Sequence, residues 1–332
     1  MQLLRDNDVK TFEQLCGLTQ AGLKKTLSKF LRTKYTEVVE TKDFIYAIGE
    51  IPIALVAHMD TVFPKPPEDI FYDRVKNVML SPTGLGADDR AGVFSIIQII
   101  RRGLRPHIIF TVDEESGCLG ATALSKLPCP FKDLRYLIQL DRRNACDCVF
   151  YDCDNPAFVE YVEGFGFIEN WGTFSDISML CPAWKIAGVN LSVGYYNEHS
   201  TGELLYVGQM LSTIEKVANM LQAEDIPTFE YIESKTAYGR NWWYNYYYKP
   251  TTDESGDPIC NYCKQKFASD ELIPVKGIDE YLKHACIDCV GKPNIGFCKH
   301  CGDAYEIDTT STTKTDLGIC EDCLYDYFYP YH

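Results

Sequence analysis

Short apolar runs that end in a histidine or an acidic residue constrain this chain more than any other feature. "IALVAH" ends at His58 and is followed two positions later by Asp60. Similar runs end near "DEES" at 113–116, at Asp141 and near His199. A buried parallel strand reads as a short apolar run, and site residues collect where such strands end. The pattern therefore predicts parallel strands whose carboxyl ends bring these side chains to one edge of a sheet.

Helical patterns alternate with these runs. "TFEQLCGLTQAGLKKTLSKFL" predicts one opening helix with Thr11 as a possible cap, and "RAGVFSIIQIIRRG" predicts a helix that stops at Gly103. "TEVVETKDFIYAIGE" predicts a hairpin, and "ELLYVGQMLSTIEKVANMLQ" predicts a closing amphipathic helix. The alternation is typical of a layered α/β domain. We assign residues 1–225 to this domain, 226–256 to an aromatic linker or arm, and 257–332 to a small cysteine-rich module.

The composition favours a globular protein: 332 residues, 46% apolar content and a formal charge of −15. The chain has no run of eighteen apolar residues and no charged-then-apolar leader, so we expect a cytoplasmic protein that does not interact with a membrane. The negative charge speaks against a nucleic-acid partner, because binding to phosphates depends on lysine and arginine. Without a leader, fifteen cysteines favour metal ligands and free thiols over disulfides.

Eight of the cysteines form four Cys-x-x-Cys pairs near the C-terminus. The first two pairs are separated by 22 residues and the last two by 18. This spacing predicts two four-cysteine structural zinc sites, because paired knuckles complete a closed thiolate shell. The first site comprises Cys260, Cys263, Cys286 and Cys289, and the second comprises Cys298, Cys301, Cys320 and Cys323. Redox pairs, the alternative, need a βαβ setting that this polar segment lacks.

The cysteine-rich module is acidic. Residues 257–332 contain seven lysines, no arginine and thirteen carboxylates, a formal charge of −6 that zinc-bound thiolates make more negative. Such a module does not hold phosphates by electrostatics. We expect it to stabilise the domain, to position the rim of the site or to bind a protein partner, with zinc supplying folding energy.

A glycine-bearing loop adds further potential ligands. "TGLGADDRAGV" places Asp88 and Asp89 directly before a helix, and Glu114 and Glu115 follow an apolar strand. Histidines and carboxylates at one sheet edge can hold two divalent ions, zinc above all. The alternative is a set of polar strand ends and helix caps, which we favour for Asp89.

The order of "AHMDTV", "GADDRAG", "DEESG", Asp141 and "EHSTGE" resembles the co-catalytic di-zinc exopeptidases. That group includes peptidase T, the glutamate carboxypeptidases and the bacterial leucyl-type aminopeptidases, and the likeness covers residues from about 10 to 222. It implies a three-layer α/β/α fold with a mixed central sheet. It also implies two catalytic zinc ions, with cobalt or manganese as possible substitutes.

The resemblance assigns a role to each residue of the site. It makes His58 and Asp141 ligands of one metal, Glu115 and His199 ligands of the other, Asp88 the bridge, Glu114 the general base and Asp60 the carboxylate that orients His58. A free glutamate beside two metals fits the chemistry of water activation.

The chain departs from the dimeric members of the family, which carry an inserted lid domain. Only 57 residues separate Asp141 from His199, too few for that lid. The compact aminopeptidases are the nearer relatives, and their loops resemble the segments that contain Asp176, Tyr195 and Tyr196. A tyrosine hydroxyl can stabilise an oxyanion, and the alternative for either ring is packing in the core.

We therefore expect hydrolysis of a peptide bond in small peptides, with aminopeptidase activity as the first hypothesis. The alternatives are an amidohydrolase that deacylates N-acyl amino acids, and an inactive peptidase body that serves as a zinc-ribbon adaptor for a protein partner. Retention of all the ligands and of Glu114 counts against the adaptor.

Overall fold

The computed structural model separates the chain into two compact units, Met1–Ser234 and Lys235–His332. The residues that it describes are 3–234, 252–253, 257–267, 272–276, 282–290, 292, 295–297 and 304–306. The aromatic stretch "NWWYNYYY" of the predicted arm lies outside them.

Twelve strands form the two sheets of the first unit. They are β1 (Glu37–Glu40), β2 (Phe44–Ile48), β3 (Ile51–His58), β4 (Phe71–Asp73), β5 (Val78–Leu80), β6 (Pro106–Thr111), β7 (Tyr136–Arg142), β8 (Asp147–Val149), β9 (Ile168–Glu169), β10 (Gly188–Ser192), β11 (Tyr195–Tyr196) and β12 (Leu204–Tyr206). The large sheet has the order β1-β2-β6-β3-β7-β10-β8-β9, and a small one has the order β11-β12-β5-β4.

The centre of the large sheet is parallel. Strand β3 pairs with β6 on one side and β7 on the other, and β7 pairs with β10, all in parallel register. The outer pairs β1–β2, β2–β6 and β8–β10 are antiparallel. The sheet is therefore mixed, as predicted, and the carboxyl ends of its four central strands lie at one edge.

Helices cover both faces of this sheet. They are α1 (Asp6–Cys16), α2 (Gln20–Arg32), α3 (Ala87–Arg101), α4 (Leu119–Ser125), α5 (Pro156–Glu163), α6 (Asp176–Trp184) and α7 (Val207–Leu221). Strand β3 shows the two layers: Ile53 and Leu55 pack in the core with α1, α2, α3 and α7, whereas Ala54 and Val56 pack with α4 and α6. Successive strand residues point to opposite faces, so both halves of this apolar run are buried. The predicted α/β/α fold is confirmed.

The predicted opening helix is wrong in one respect, because two helices replace it. Helix α1 ends at Cys16 and Gly17 follows, and α2 begins after Thr19, whose hydroxyl accepts a hydrogen bond from the backbone N–H of Gly22. Thr11 lies inside α1 and donates to the carbonyl of Asn7 at 2.9 Å. The cap therefore belongs to Thr19, and the glycine marks the break.

Residues 226–234, which fall in the predicted arm, pair with the first unit. Glu230 forms a β-bridge with Ile186, Glu233 forms one with Cys153, and Phe229 is buried in the core. The predicted domain boundaries otherwise stay predictions. No helix in the described part of the chain is both long and apolar enough to cross a membrane.

The described part of the second unit contains one short helix and a small sheet. They are β13 (Ile273–Lys276), β14 (Leu282–Ala285), α8 (Ile287–Val290), β15 (Ile295–Phe297) and β16 (Ala304–Glu306), and the sheet order is β14-β13-β16-β15. Its buried residues include Val275, Ala285 and Val290, together with three cysteines of the first predicted zinc site.

Candidate metal centre

The end of β3, the start of α3 and β7 bring His58, Asp88 and Asp141 together. His58 Nε2 lies 3.0 Å from Asp88 Oδ1 and 3.4 Å from Asp141 Oδ1. All three side chains are buried or nearly so. The parallel register places the ends of β3 and β7 side by side, which explains how residues 83 positions apart in sequence come into contact.

A second group forms around the same aspartate. His199 Nε2 lies 3.0 Å from Glu115 Oε2 and 3.3 Å from Asp88 Oδ2. The potential ligand atoms of each group lie within 4.8 Å of one another. Asp88 therefore presents one oxygen to His58 and the other to His199, which is the arrangement of a bridging carboxylate.

These distances fit divalent metal ions. Ligands at about 2.0–2.1 Å from a tetrahedral zinc lie roughly 3.3–3.4 Å apart, close to the separations between the imidazole and carboxylate atoms. Glu115 Oε1 is buried and has no hydrogen-bond partner among the described residues, so it is free to bind an ion. Mixed imidazole and carboxylate donors suit zinc, and they also accept cobalt or manganese.

Electrostatics favours the same interpretation. Burial, reinforced by the charge of Asp141, raises the pKa of Asp88 to about 6 against the opposing effect of the two histidines. Burial also raises the pKa of Glu114 to about 9; His58 opposes this shift, and the neighbouring carboxylates add to it. Crowded buried carboxylates disfavour one another's ionisation, and cations in their midst relieve that repulsion.

Asp60 lies beside His58, the histidine that it is predicted to orient. Its Oδ1 lies 3.3 Å from His58 Nδ1, at an angle poor for a hydrogen bond. The same carboxylate accepts the backbone N–H groups of Glu114 at 3.1 Å and Glu115 at 3.0 Å. Burial raises the pKa of Asp60, but His58 and these N–H groups outweigh it and hold the pKa below its usual value. Asp60 thus connects a histidine of one group to the loop that carries two glutamates.

Asp89, for which we expected a supporting role, is fully buried. Its Oδ1 accepts the backbone N–H of Gly92 at 2.9 Å, and its Oδ2 accepts that of His58 at 3.2 Å. A short aspartate at a helix start commonly caps the helix in this way. It therefore fixes the start of α3 against the end of β3.

Glu203 is a site residue that the sequence did not single out. Its side chain is 1% exposed, and it accepts the backbone N–H groups of Gly86 at 2.5 Å and Asp88 at 3.0 Å. Gly86 has φ 66°, and a Cβ there would lie 3.1 Å from Thr61 Cγ2, so this turn favours glycine. Glu203 closes the motif "EHSTGE", and its place four residues after His199 was the available signal.

Three side chains hold Asp141. Ser175 donates to its Oδ2 at 2.9 Å, Gln139 donates to the same oxygen at 3.0 Å, and the Tyr195 hydroxyl donates to Oδ1 at 3.2 Å. These hydrogen bonds fix the carboxylate in place. Burial raises the pKa of Asp141, but the charge and hydrogen bond of His58 outweigh it and hold the pKa below its usual value. Tyr195 lines the cavity described below, and its predicted contact with an oxyanion stays a prediction.

The other two predicted substrate residues lie elsewhere. Tyr196 packs edge-to-face against Tyr206, with ring centroids 5.2 Å apart. Asp176 is fully buried at the start of α6, where its Oδ2 accepts the hydroxyl of Thr111 at 2.5 Å. Neither residue lines the cavity at the metal-ligand groups.

The two groups open into a cavity of about 260 Å³, which we call the central cavity. Glu114, Glu115 and His199 line it, and Tyr151 and Phe174 lie on its walls. Glu114 is 8% exposed, and its Oε1 lies 3.5 Å from the Cys118 thiol. An acidic side chain with a raised pKa that adjoins a potential metal site is a candidate for proton transfer.

In the second unit, four cysteines cluster as predicted for the first structural site. Their sulfur atoms lie within 4.8 Å of one another, and Cys263 Sγ is 3.9 Å from Cys286 Sγ. Sulfurs about 2.3 Å from a tetrahedral zinc lie roughly 3.8 Å apart. Burial raises the pKa of Cys260, but N–H groups from Cys263, Cys286 and Tyr262 outweigh it and lower the pKa to about 6, which favours the thiolate. The second predicted site, at Cys298, Cys301, Cys320 and Cys323, lies outside the described residues.

Solved peptidase structures share this fold. A tripeptidase from Staphylococcus aureus is 16% identical, with a TM-score of 0.53 over 67% of this chain and 99% of that chain. A TET aminopeptidase from a marine sediment archaeon of the Thaumarchaeota is 13% identical, with a TM-score of 0.52 over 67% of this chain and 98% of that chain. Aminopeptidase PepT from Bacillus cereus is 18% identical, with a TM-score of 0.50 over 65% of this chain and 97% of that chain.

No protein-family model matches the chain, and no curated protein matches it. At these identities the likeness establishes the fold alone. The segment between Asp141 and His199 forms β8, α5, β9, α6, β10 and β11 within the first unit.

Proposed function

We propose that this protein is a di-zinc peptidase that removes the amino-terminal residue from small peptides. The observation that carries the proposal is the position of Asp88, whose two carboxylate oxygens face two separate imidazoles. The shared fold with aminopeptidases and a tripeptidase supports it. The proposed ligands are His58 and Asp141 for one ion, Glu115 and His199 for the other, and Asp88 for both.

In the proposed reaction, water adds to the carbonyl carbon of the first peptide bond. Two bound zinc ions would polarise that carbonyl and lower the pKa of the water. Glu114 accepts a proton from the water as the new C–O bond forms. It returns that proton to the leaving nitrogen as the C–N bond breaks, so the products are a free amino acid and a shortened peptide.

The supporting residues act through the ligands. Asp60 lies 3.3 Å from His58 Nδ1 and holds the Glu114–Glu115 loop, while Ser175 and Tyr195 hold Asp141. Carboxylates and hydroxyls behind a ligand fix its orientation and raise its basicity. A metal centre therefore gives a reason for the buried polar side chains of Asp60, Ser175 and Tyr195.

We further propose that Cys260, Cys263, Cys286 and Cys289 bind one structural zinc ion. The described sheet of the second unit is small, and a metal supplies folding energy that so small a core lacks. A second structural zinc ion, at Cys298, Cys301, Cys320 and Cys323, stays a prediction because these residues lie outside the described ones.

The test combines metal content with turnover. Elemental analysis of the purified protein should find about four divalent ions per chain if both predicted cysteine sites are occupied. Glu114→Gln should retain them and lose roughly two to four orders of magnitude in turnover on dipeptides and aminoacyl amides. Glu37→Gln, a substitution of the same type on an exposed residue of edge strand β1, is the matched control and should leave turnover unchanged.

Three results would contradict the proposal. Wild-type turnover in Glu114→Gln would remove this residue from proton transfer. Hydrolysis of N-acyl amino acids in preference to peptides would transfer the site to the amidohydrolase alternative, and a protein that binds thiolate-held ions alone would favour the adaptor.

A further inference from the structure

A second cavity adjoins the central one. Its volume is about 500 Å³, and we call it the side cavity. Both cavities include Glu115 in their walls, and Ser116, the next residue along the chain, belongs to the side cavity. The two spaces therefore meet at a proposed metal ligand.

The volumes of the two cavities indicate where the part of a peptide beyond its first bond can lie. Pockets for small ligands measure about 300–1,000 Å³, and the central cavity of about 260 Å³ lies below that range. The central cavity is open to solvent, so a peptide whose first bond reaches Glu114 can extend beyond it. The side cavity of about 500 Å³ is the adjoining space that can accept its remaining residues.

The side cavity has one apolar and firmly held wall. Val62, Phe63 and Pro64 contribute to it. The ring of Phe63 lies where a Cβ on Gly84 would be, at 2.2 Å, so the glycine permits this close packing. A wall fixed in this way costs little conformational entropy when a ligand binds.

Two positively charged side chains, Lys65 and Arg90, line the side cavity, and neither forms an ion pair with a described residue. Arg90 is 3% exposed; it donates to the carbonyl of Leu18 at 3.0 Å and to that of Met59, and no described carboxylate lies within 4.0 Å of its nitrogens. Asp60 and Asp89 act on it from further away.

Three carboxylates also line the side cavity; two of them are hydrogen-bonded, and the third, Glu115, is a proposed metal ligand. Asp60 accepts two backbone N–H groups, and Asp113 accepts the Gln20 amide at 2.8 Å. In the central cavity, by contrast, the positive charge of Arg143 is paired with Glu198 at 3.1 Å. A ligand that brings its own negative charge is therefore better matched to the side cavity than to the central one.

We propose that the side cavity binds the carboxyl-terminal residues of a short peptide, with the free α-carboxylate beside Lys65. This inference rests on the proposed peptidase function and deepens it. The amino end of the peptide then lies in the central cavity, which is the direction of an aminopeptidase. The volume of the side cavity, about 500 Å³, favours short peptides with a free carboxyl end.

The test compares Leu-Gly-Gly with its carboxyl-terminal amide. The wild type should prefer the free acid about tenfold in kcat/KM, mainly through KM, as expected for one charge-assisted contact. In Lys65→Met the preference should fall to about one. Lys76→Met removes another exposed lysine, in the β4–β5 turn, and should keep the wild-type ratio. Lys65 is exposed as well, so folding is not at stake.

The outcomes separate the inference from the function on which it rests. If the wild type hydrolyses both peptides but Lys65→Met keeps the tenfold preference, the side cavity does not bind the carboxylate in this way. Equal rates on acid and amide in the wild type contradict the inference as well. If the metal-loaded wild type hydrolyses no peptide at all, the proposed function fails, and the inference fails with it.

Discussion

Replacement of Glu203 by glutamine should weaken both metal sites together. The Glu203 carboxylate accepts the N–H groups of Gly86 and Asp88 with its two oxygens. Glutamine keeps one oxygen but turns an NH₂ group towards the other N–H. Hydrogen bonds to charged groups contribute about 1.5–3 kcal/mol each, so the loss of one amounts to roughly 2 kcal/mol.

That loss should appear in metal affinity. Without metal, the loop before α3 can relax, whereas with metal it must hold Asp88 between the two histidines. About 2 kcal/mol corresponds to a factor of roughly 30 in affinity, within the range of about 10–100-fold found for residues that support metal ligands. Because each oxygen of Asp88 faces a different histidine, both ions should be affected.

Competition with a chromophoric chelator measures the two affinities. Asp141→Asn provides a contrast, because Asp141 contacts His58 alone of the two histidines and should weaken one site more than the other. Glu215→Gln is the matched control; it breaks a surface ion pair with Arg102 at 2.6 Å, worth less than about 1 kcal/mol, and should leave affinity unchanged. If Glu203→Gln binds both ions within a factor of two of the wild type, Glu203 does not position the bridge.

Two further predictions concern other parts of the chain. Cys286→Ala should lower the zinc content by about one ion per chain in elemental analysis, whereas Cys181→Ala, at a buried free cysteine of the first unit, should not; equal zinc content in both would refute the four-cysteine site. His107 is buried, stacks on Phe131 and accepts the N–H of Gly49, and burial lowers its pKa from 6.5 to about 4. The unfolded chain binds the proton more tightly, so the contribution of neutral His107 is complete above pH 6.5 and is lost as the pH falls towards 4. Denaturant unfolding at pH 7 and pH 5 should show a loss of about 2 kcal/mol from this group, and His107→Gln should show a smaller loss over the same range; an equal loss would refute this assignment.

The sheet and the convergence of the site residues could be predicted from the sequence, and the reason is physical. Buried parallel strands need continuous apolar runs, and their ends must lie at one edge, so His58, Asp141 and the loop after β6 were brought together by topology alone. The order of the motifs also resembled that of the di-zinc exopeptidases. The roles within the site remain proposals.

Other features of the fold and of the site had only a weak signal in the sequence. Glu203 accepts N–H groups from residues more than a hundred positions away, and its place four residues after His199 was the one signal that the sequence offered for it. The break between α1 and α2 had a signal in Gly17 and Thr19, but the apolar spacing continued across it. Asp176 and Tyr196 lie in loop-like sequence, and only the packing shows that they do not line the central cavity.

The separation of the ligands along the chain has a consequence for the protein as it is synthesised. The candidate metal centre draws on residues from 58 to 199, so most of the first unit must leave the ribosome before both groups exist. Contacts of such long range form slowly, because the chain between them must be ordered first. The four-cysteine cluster spans only residues 260–289, a loop that an ion can close almost as soon as it emerges. Zinc limitation during translation should therefore impair the folding of the second unit, whereas the first unit can fold first and take up its metals afterwards.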